Sequence, residues 1–293
     1  MKPPSPRPPG APGPGRPQSP RGPRPEGGSG FRPKHGHHHG PRSAPPARGT
    51  PDAPRGAVWL YGLHAIAAAL ANPARRLRRL VLTEEAETAL AARLPKPWAL
   101  APEHAERGRL DHLLGRDIAH QGAALLADPL APPPLAAVLE RKGPLLVLDQ
   151  VSDPRNVGAI LRSAAAFGAA GVIAQERHAP EETGALAKAA SGALETVPLL
   201  RAVNIARTLV ALRAAGCWVV GLDAGGAPLS GPALAERRVA LVLGSEGEGL
   251  RRLTRETCDE VAGIILPGAG PVLDSLNVSA AAAVALYELS RRP

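Results

Sequence analysis

Cysteine is nearly absent: Cys217 and Cys258 are the only two in 293 residues. Two thiols exclude a disulfide framework and a multi-cysteine zinc site. Cys217 opens the apolar run Cys-Trp-Val-Val-Gly, so a packed core thiol is expected there. The chain also lacks an apolar run of about 18 residues, the length a membrane helix needs, and a signal-peptide hydrophobic segment behind its charged amino terminus. A soluble, cytoplasmic protein with no membrane contact is the expectation. Two nucleotide fingerprints are missing as well. Leu148 leads into Asp-Gln-Val-Ser-Asp-Pro-Arg-Asn where a Gly-x-Gly-x-x-Gly turn would stand, and no Gly-x-x-x-x-Gly-Lys occurs. Neither a standard dinucleotide site nor a phosphate-cradling loop of that type is supported.

What is present is unevenly distributed. The first fifty residues hold 15 of the 34 prolines and almost no aliphatic side chains. Such a segment cannot bury enough apolar surface to offset its ordering entropy, so residues 1–55 are expected to be a disordered tail. Those fifty residues carry nine Lys/Arg against Glu26 alone, a balance of +8, whereas the other 243 balance to +1. The high pI therefore describes the tail. A solvated basic tail attracts polyanions in a salt-dependent way, or merely aids solubility. Its His35-Gly-His37-His38-His39 run is too irregular for a metal site, and none is expected elsewhere.

From Val58 onward, strand-like runs alternate with helical patterns. Trp59–Tyr61, Leu80–Thr83 and His120–Ala127 read as strands, with helices after the first two and a helical piece at Leu110–Leu114. This predicts a small α/β domain over 56–128, followed by a proline-marked linker over 129–140. Over 141–293 the alternation is clearer. Leu145–Leu148, Gly171–Ala174, Val197–Leu200, Trp218–Val220, Val239–Leu243 and Val261–Leu266 are short apolar runs, with helical patterns at 157–167, 183–194, 204–214, 249–258 and 277–290. Near-continuous apolar strands between helices predict a parallel sheet covered on both faces.

Three polar islands sit near the ends of these runs: Asn156-Val-Gly-Ala-Ile-Leu-Arg162, Gly244-Ser-Glu-Gly-Glu-Gly249 and Ser275-Leu-Asn277. Loops at one edge of a parallel sheet can assemble a site from distant segments. Each island also has a plain explanation. Asn156 is a possible helix N-cap, Arg162 a solvated helix residue, and Glu246 a surface partner for Arg251 or Arg252. Ser275 is a possible cap of the last helix, with Asn277 in its first turn. The cluster Arg75-Arg76-Leu-Arg78-Arg79 reads as a solvated helix end or a local phosphate contact.

Together the islands point to a family. Leu148–Gly168, Leu241–Leu250, and Ile265-Leu-Pro267 with Ser275–Ser279 resemble, in order, the three motifs of the SpoU/TrmH branch of the SPOUT methyltransferases. Lys188–Ala193, Val203–Arg207, Tyr61-Gly-Leu-His-Ala65 and His120-Gln-Gly122 resemble the members that act on guanosine in bacterial ribosomal RNA. The resemblance spans about residues 57–290. One departure stands out: the loop from Pro267 to Ser275 is a residue longer than usual and carries Asp274.

The resemblance implies a carboxyl-terminal α/β knot, in which a parallel sheet holds a deep trefoil knot, beside a small amino-terminal substrate-binding domain. It implies S-adenosylmethionine as cofactor, held through Gly244, Leu266 and Leu276. Asn156, Arg162, Glu246, Ser275 and Asn277 would then surround a ribose whose 2′-hydroxyl is methylated. The expected substrate is a guanosine of 23S rRNA, free or in a ribosome assembly intermediate, and the expected assembly is a homodimer with the last helix near its interface. A transfer-RNA ribose methylase and a noncatalytic RNA-binding assembly factor on the same scaffold remain open. An ordinary guanidinium stays protonated at neutral pH and is therefore a poor base, so Arg162 is better suited to binding phosphate and stabilising alkoxide charge.

Overall fold

Valine, leucine and alanine set the first sheet. Its elements are β1 (Val58–Tyr61), α1 (Leu63–Ala71), β2 (Leu77–Leu82), α2 (Glu84–Ala91), β3 (Pro102–His104), α3 (Arg107–Leu114) and β4 (Ala123–Ala127). The computed structural model describes residues 53–177, 179–245, 247–268, 270 and 275–291, so the expected tail lies almost wholly outside them. The strand order is β1-β4-β2-β3; β4 runs antiparallel to β1 and β2, and β3 parallel to β2. Every residue of β4 (Ala-Ala-Leu-Leu-Ala) is buried, as suits a central strand. β3 has the sequence Pro-Glu-His and sits at the edge, where polar residues and proline are tolerated; this left no hydrophobic period to read. Thr83 caps α2 by accepting from the Ala86 N–H, and Glu84, Glu85 and Glu87 occupy its electropositive first turn.

Two expectations change here. His120–Gly122 is a turn before β4 and no part of the strand, since Gln121 and Gly122 both have positive φ (58° and 74°). The basic cluster is no helix end: Arg76–Arg79 run into and along β2, and Arg75 is buried.

The second sheet follows α4 (Leu135–Leu139), a short helix inside the expected linker. It comprises β5 (Leu145–Leu148), α5 (Pro154–Ala166), β6 (Gly171–Gln175), α6 (Gly184–Ala190), β7 (Leu199–Ala202), α7 (Ile205–Ala214), β8 (Cys217–Pro228), β9 (Arg238–Leu243), α8 (Arg252–Thr257), β10 (Glu260–Gly263) and α9 (Val278–Ser290). Its order is β10-β8-β9-β5-β6-β7, and every pairing is parallel. Alternate residues serve opposite faces. Leu146, Leu148, Leu241 and Leu243 share a core with Val157, Ile160, Leu161 and Leu286 of α5 and α9. Leu145, Val147, Ala240 and Val242 share another with Ile205, Leu209 and Leu212 of α7. The expected doubly covered parallel sheet is therefore present. From β5 the chain winds outward through β6 and β7, then crosses to β8 and returns with β9 beside β5. The reversal falls at the ends of β5 and β9, the usual place for a ligand in such sheets.

All described residues belong to one compact unit, Ala47–Pro293. The core on the α5 face continues into Leu60, Ile66 and Leu125 of the first sheet. α6 lies against β1, with Gly184 so close to the Trp59 carbonyl and the Tyr61 ring that a Cβ would overlap both. The Lys188 ammonium donates to the Ala119 carbonyl (2.6 Å) and lies 5.9 Å from the centre of the Tyr61 ring. Gln121 Oε1 accepts from the Leu63 N–H at 3.3 Å. The Tyr61-Gly-Leu-His, His120-Gln-Gly and Lys188 segments thus meet along one seam.

Arg75 crosses the same seam to pair with Glu182 and Glu195. Burial pushes the Glu182 carboxyl above its usual range, although the Arg75 charge pulls the other way. A raised native value means Glu182 contributes stability fully only below its unfolded value of about 4.3, and loses it as pH rises through the native value. Glutamine does not titrate. The stability of Glu182→Gln relative to wild type is therefore expected to rise with pH above about 4.3 and to flatten once the native carboxyl is ionised. Urea midpoints of the two proteins from pH 4 to 8 check this, and a difference that falls with pH contradicts it.

Both thiols are raised by burial, Cys258 to about 11, so each is protonated at neutral pH and behaves as packing. Among the described residues no helix is long and apolar enough to cross a membrane.

Candidate active site

The helix carrying the first island starts earlier than the apolar pattern implies. Asp153 is the N-cap of α5, accepting from the Arg155 N–H at 2.8 Å, and Pro154 opens the helix. Asn156 is therefore not the cap; it lies within the first turn. The third island also shifts. Asn277, and not Ser275, caps α9: its Oδ1 accepts from the Ser279 N–H (2.9 Å) and hydroxyl (2.6 Å). The other end of the same amide, Nδ2, donates to Asn156 Oδ1 at 3.1 Å. One side chain thus starts α9 and ties it to the start of α5, across 121 positions of sequence. The helices remain side by side, and Phe167 and Tyr287 near their far ends meet edge-on at 6.4 Å.

The second island folds back on itself at the end of β9. Gly249 N–H donates to the Ser245 carbonyl at 3.1 Å, and the two residues form an antiparallel bridge. A Cβ on Gly244 would overlap the carbonyl group of Gly249, so glycine is needed for this close approach. The turn between them passes through Gly247 at φ 95°. Beside it, the Asp149 N–H donates to the Leu243 carbonyl (2.8 Å), and the fully buried Asp149 carboxylate holds Arg251 at 2.8 Å (Nε) and 2.6 Å (Nη2). This pair clamps the exits of β5 and β9 together. The one sequence signal for it is an acidic residue directly after a wholly apolar strand, which the three motifs do not single out.

The remaining predicted residues are placed as follows. Gly244, Leu266 and Leu276 are half-buried and Ser275 is exposed. Glu246 and Asp274 lie outside the described residues. The two suggested surface partners of Glu246 have other engagements, Arg251 with Asp149 and Arg252 with Glu256 at 3.0 Å. Arg162 is exposed and has no ion-pair partner among the described residues. Six helical positions separate it from Asn156, about 9 Å along the axis and about 120° around it. Within one chain Arg162 thus stands apart from the Asn156–Asn277 pair. No group of three or more His, Cys, Asp or Glu that could hold a metal occurs among the described residues.

The family described as "SpoU rRNA Methylase family" has a sequence model that matches residues 143–287, the second sheet with its helices. A second model, "RNA 2′-O ribose methyltransferase substrate binding", matches residues 59–133. A protein from Photobacterium profundum named 23S rRNA (guanosine-2′-O-)-methyltransferase RlmB is 40% identical over 247 residues, covering 80% of this chain and 97% of that one. The chain belongs to the SpoU methylase family. Two solved structures share the fold of this SpoU methylase. A TrmH-family RNA methyltransferase from Porphyromonas gingivalis superposes with a TM-score of 0.63 at 28% identity, covering 80% of this chain and 89% of that one. The SpoU methyltransferase AviRb from Streptomyces viridochromogenes, solved with AdoMet, gives 0.63 at 24% identity with the same coverages; at that identity the likeness concerns the fold alone.

Proposed function

We propose that this protein transfers the methyl group of S-adenosylmethionine to the ribose 2′-hydroxyl of a guanosine in 23S rRNA. The observation that carries the reading is the Asn277–Asn156 hydrogen bond, which joins the first and third motifs in a chain of the SpoU methylase family; the second motif follows β9, the neighbour of the strand that leads into the first. The cofactor supplies an electrophilic methyl on a cationic sulfur that departs as a neutral thioether. The glycine loop suits such a group: Gly244 leaves no space for a side chain, and Leu266 and Leu276 offer half-buried apolar surface without charge. We assign Gly244, Leu266 and Leu276 to cofactor binding, largely through backbone groups.

When bound, the cofactor would offer this methyl to in-line attack by the ribose oxygen, with the thioether as leaving group and the hydroxyl proton released to water. The main demands are alignment and activation of a weak alcohol nucleophile. Asn156 and Asn277 orient the ribose; amides cannot take its proton. Arg162 binds the neighbouring phosphate and stabilises developing alkoxide charge. Ser275 and Glu246 complete the ribose surroundings.

The same reading divides the chain into a tail (1–55), an RNA-binding domain (56–128), a linker (129–140) and a catalytic domain (141–293), with the carboxyl-terminal segment threaded into a trefoil knot. It includes a cytoplasmic homodimer joined near α9, whose Val284 and Tyr287 are 42% and 58% exposed in the single chain. A second copy is also the simplest way to bring another chain's Arg162 toward the pair from which it stands apart.

The decisive experiment incubates the purified protein with tritiated S-adenosylmethionine and either 23S rRNA or transfer RNA, then maps 2′-O-methyl groups. Label confined to one guanosine of 23S rRNA is the expected outcome. Label only in transfer RNA replaces the substrate, and cofactor binding by calorimetry without transfer to either RNA rejects the enzymatic reading.

A further inference from the structure

The linker between the two sheets is held by a buried charge cluster that the catalytic reading does not use. Arg75, from the turn between α1 and β2, has a side chain with 0% exposure; Glu182 and Glu195 are 10% and 4% exposed. Glu182 precedes α6 and Glu195 closes the turn after it, so both belong to the second sheet's layer. The guanidinium grips Glu195 with two nitrogens, Nη2 at 2.5 Å and Nε at 3.2 Å, while Nη1 pairs with Glu182. Asn72 adds a bond to Glu195 at 2.7 Å. The connecting chain is captured by the same groups. Arg75 Nη1 donates to the Asp128 carbonyl at 2.9 Å, and the Leu130 N–H donates to Glu182 at 3.0 Å. Residues 128 and 130 are the point at which the first sheet hands over to the linker.

A buried ion triad is a poor source of stability, because desolvation offsets the Coulomb attraction; apolar residues of like volume often serve as well or better. What a guanidinium fork supplies is direction, since its donors are fixed in one plane. The α6–β1 part of the seam adds close packing and one hydrogen bond from the flexible Lys188 ammonium, which fix direction less than a planar fork does.

We propose that Arg75, with Glu182 and Glu195, is a hinge clamp that sets the orientation of the RNA-binding sheet relative to the methyltransferase sheet. Arg75 is thereby a positioning residue: it touches neither ribose nor cofactor, and acts by fixing where bound RNA meets the methyl donor. The inference rests on RNA being the substrate.

The test uses the full chain and two variants, the apolar replacement R75M/E182L/E195M and the conservative R75K. Spin labels introduced by H104C on the first sheet and V210C on the second report the distance between sheets by pulsed dipolar spectroscopy. The clamp predicts that the triple variant stays folded, with a urea midpoint lowered only by the partners lost to Asn72, the Asp128 carbonyl and the Leu130 N–H, and with an unchanged affinity for S-adenosylmethionine. Its distance distribution broadens and its KM for 23S rRNA rises about tenfold, with kcat at saturating RNA little changed. R75K, which keeps the charge without the fork, falls between. Unchanged distances and KM in a folded variant overturn the proposal, as does a loss of activity that merely follows loss of stability. Should the triple variant fail to fold, R75K decides by the same two readouts. If wild type itself transfers no methyl group, the functional reading fails, whereas the label distances still decide the clamp.

Discussion

Replacing Arg162 with alanine is expected to lower kcat for methyl transfer by about 100- to 1,000-fold, the usual effect of removing one group that stabilises a developing oxyanion. Affinity for S-adenosylmethionine should be unchanged, because the residues assigned to the cofactor lie at the exits of β9 and β10 and in the segment leading to α9, not on the Arg162 turn of α5. Stability should also hold: Arg162 is exposed and makes no ion pair among the described residues, so its removal strands no buried partner. Arg162→Lys keeps the charge and loses the planar fork, and should recover only part of the rate. Single-turnover rates at saturating RNA and cofactor, with calorimetry for the cofactor, are the measurements. Near-normal turnover in Arg162→Ala sinks the assignment of charge stabilisation to this residue.

Gly244→Val is expected to abolish cofactor binding and to destabilise the fold. Its Cβ would overlap the backbone of Gly249 and come within 2.6 Å of Leu250 N, and backbone cannot rotate away as a side chain can. Inserting side-chain volume into packed structure costs about 1–3 kcal/mol, and here the site that absorbs it is the loop assigned to the cofactor. Gly247→Ala is the control. Nothing lies within 4 Å of a Cβ there, so only its positive φ of 95° resists, with a cost of roughly 1–2 kcal/mol. Thermal midpoints and calorimetric titration of both variants should show a smaller stability loss and measurable binding in Gly247→Ala, and no binding in Gly244→Val. Normal cofactor affinity in Gly244→Val means the cofactor does not use this loop.

Much of the second sheet was legible because its central strands β5, β6 and β9 are buried on both faces and its helices are amphipathic, so apolar runs and helical patterns separate them. The start of α5 is legible too: proline favours the first helical position, which makes Asp153 and not Asn156 the cap. Edge strand β3 was not, since a polar Pro-Glu-His segment has no apolar period. Arg75 was hidden for a different reason. Beside Arg76, Arg78 and Arg79 it looks like one more solvated cation, and only Glu182 and Glu195, more than a hundred positions away, make its burial tolerable.

The sequence by itself determined the local choices: an α/β chain, six short apolar strands of a parallel sheet, glycines where a loop must double back, and three motifs that mark the family. Those follow from side-chain size, polarity and backbone freedom, which act over a few residues. Only the tertiary structure decided which distant groups share a partner. That Asn277 spends one end of its amide on capping α9 and the other on Asn156, that Asp149 holds Arg251, and that Arg75 clamps the linker all depend on hydrogen-bond geometry between segments. Such bonds are directional and short-ranged, so no linear pattern can announce them before the sheets have packed.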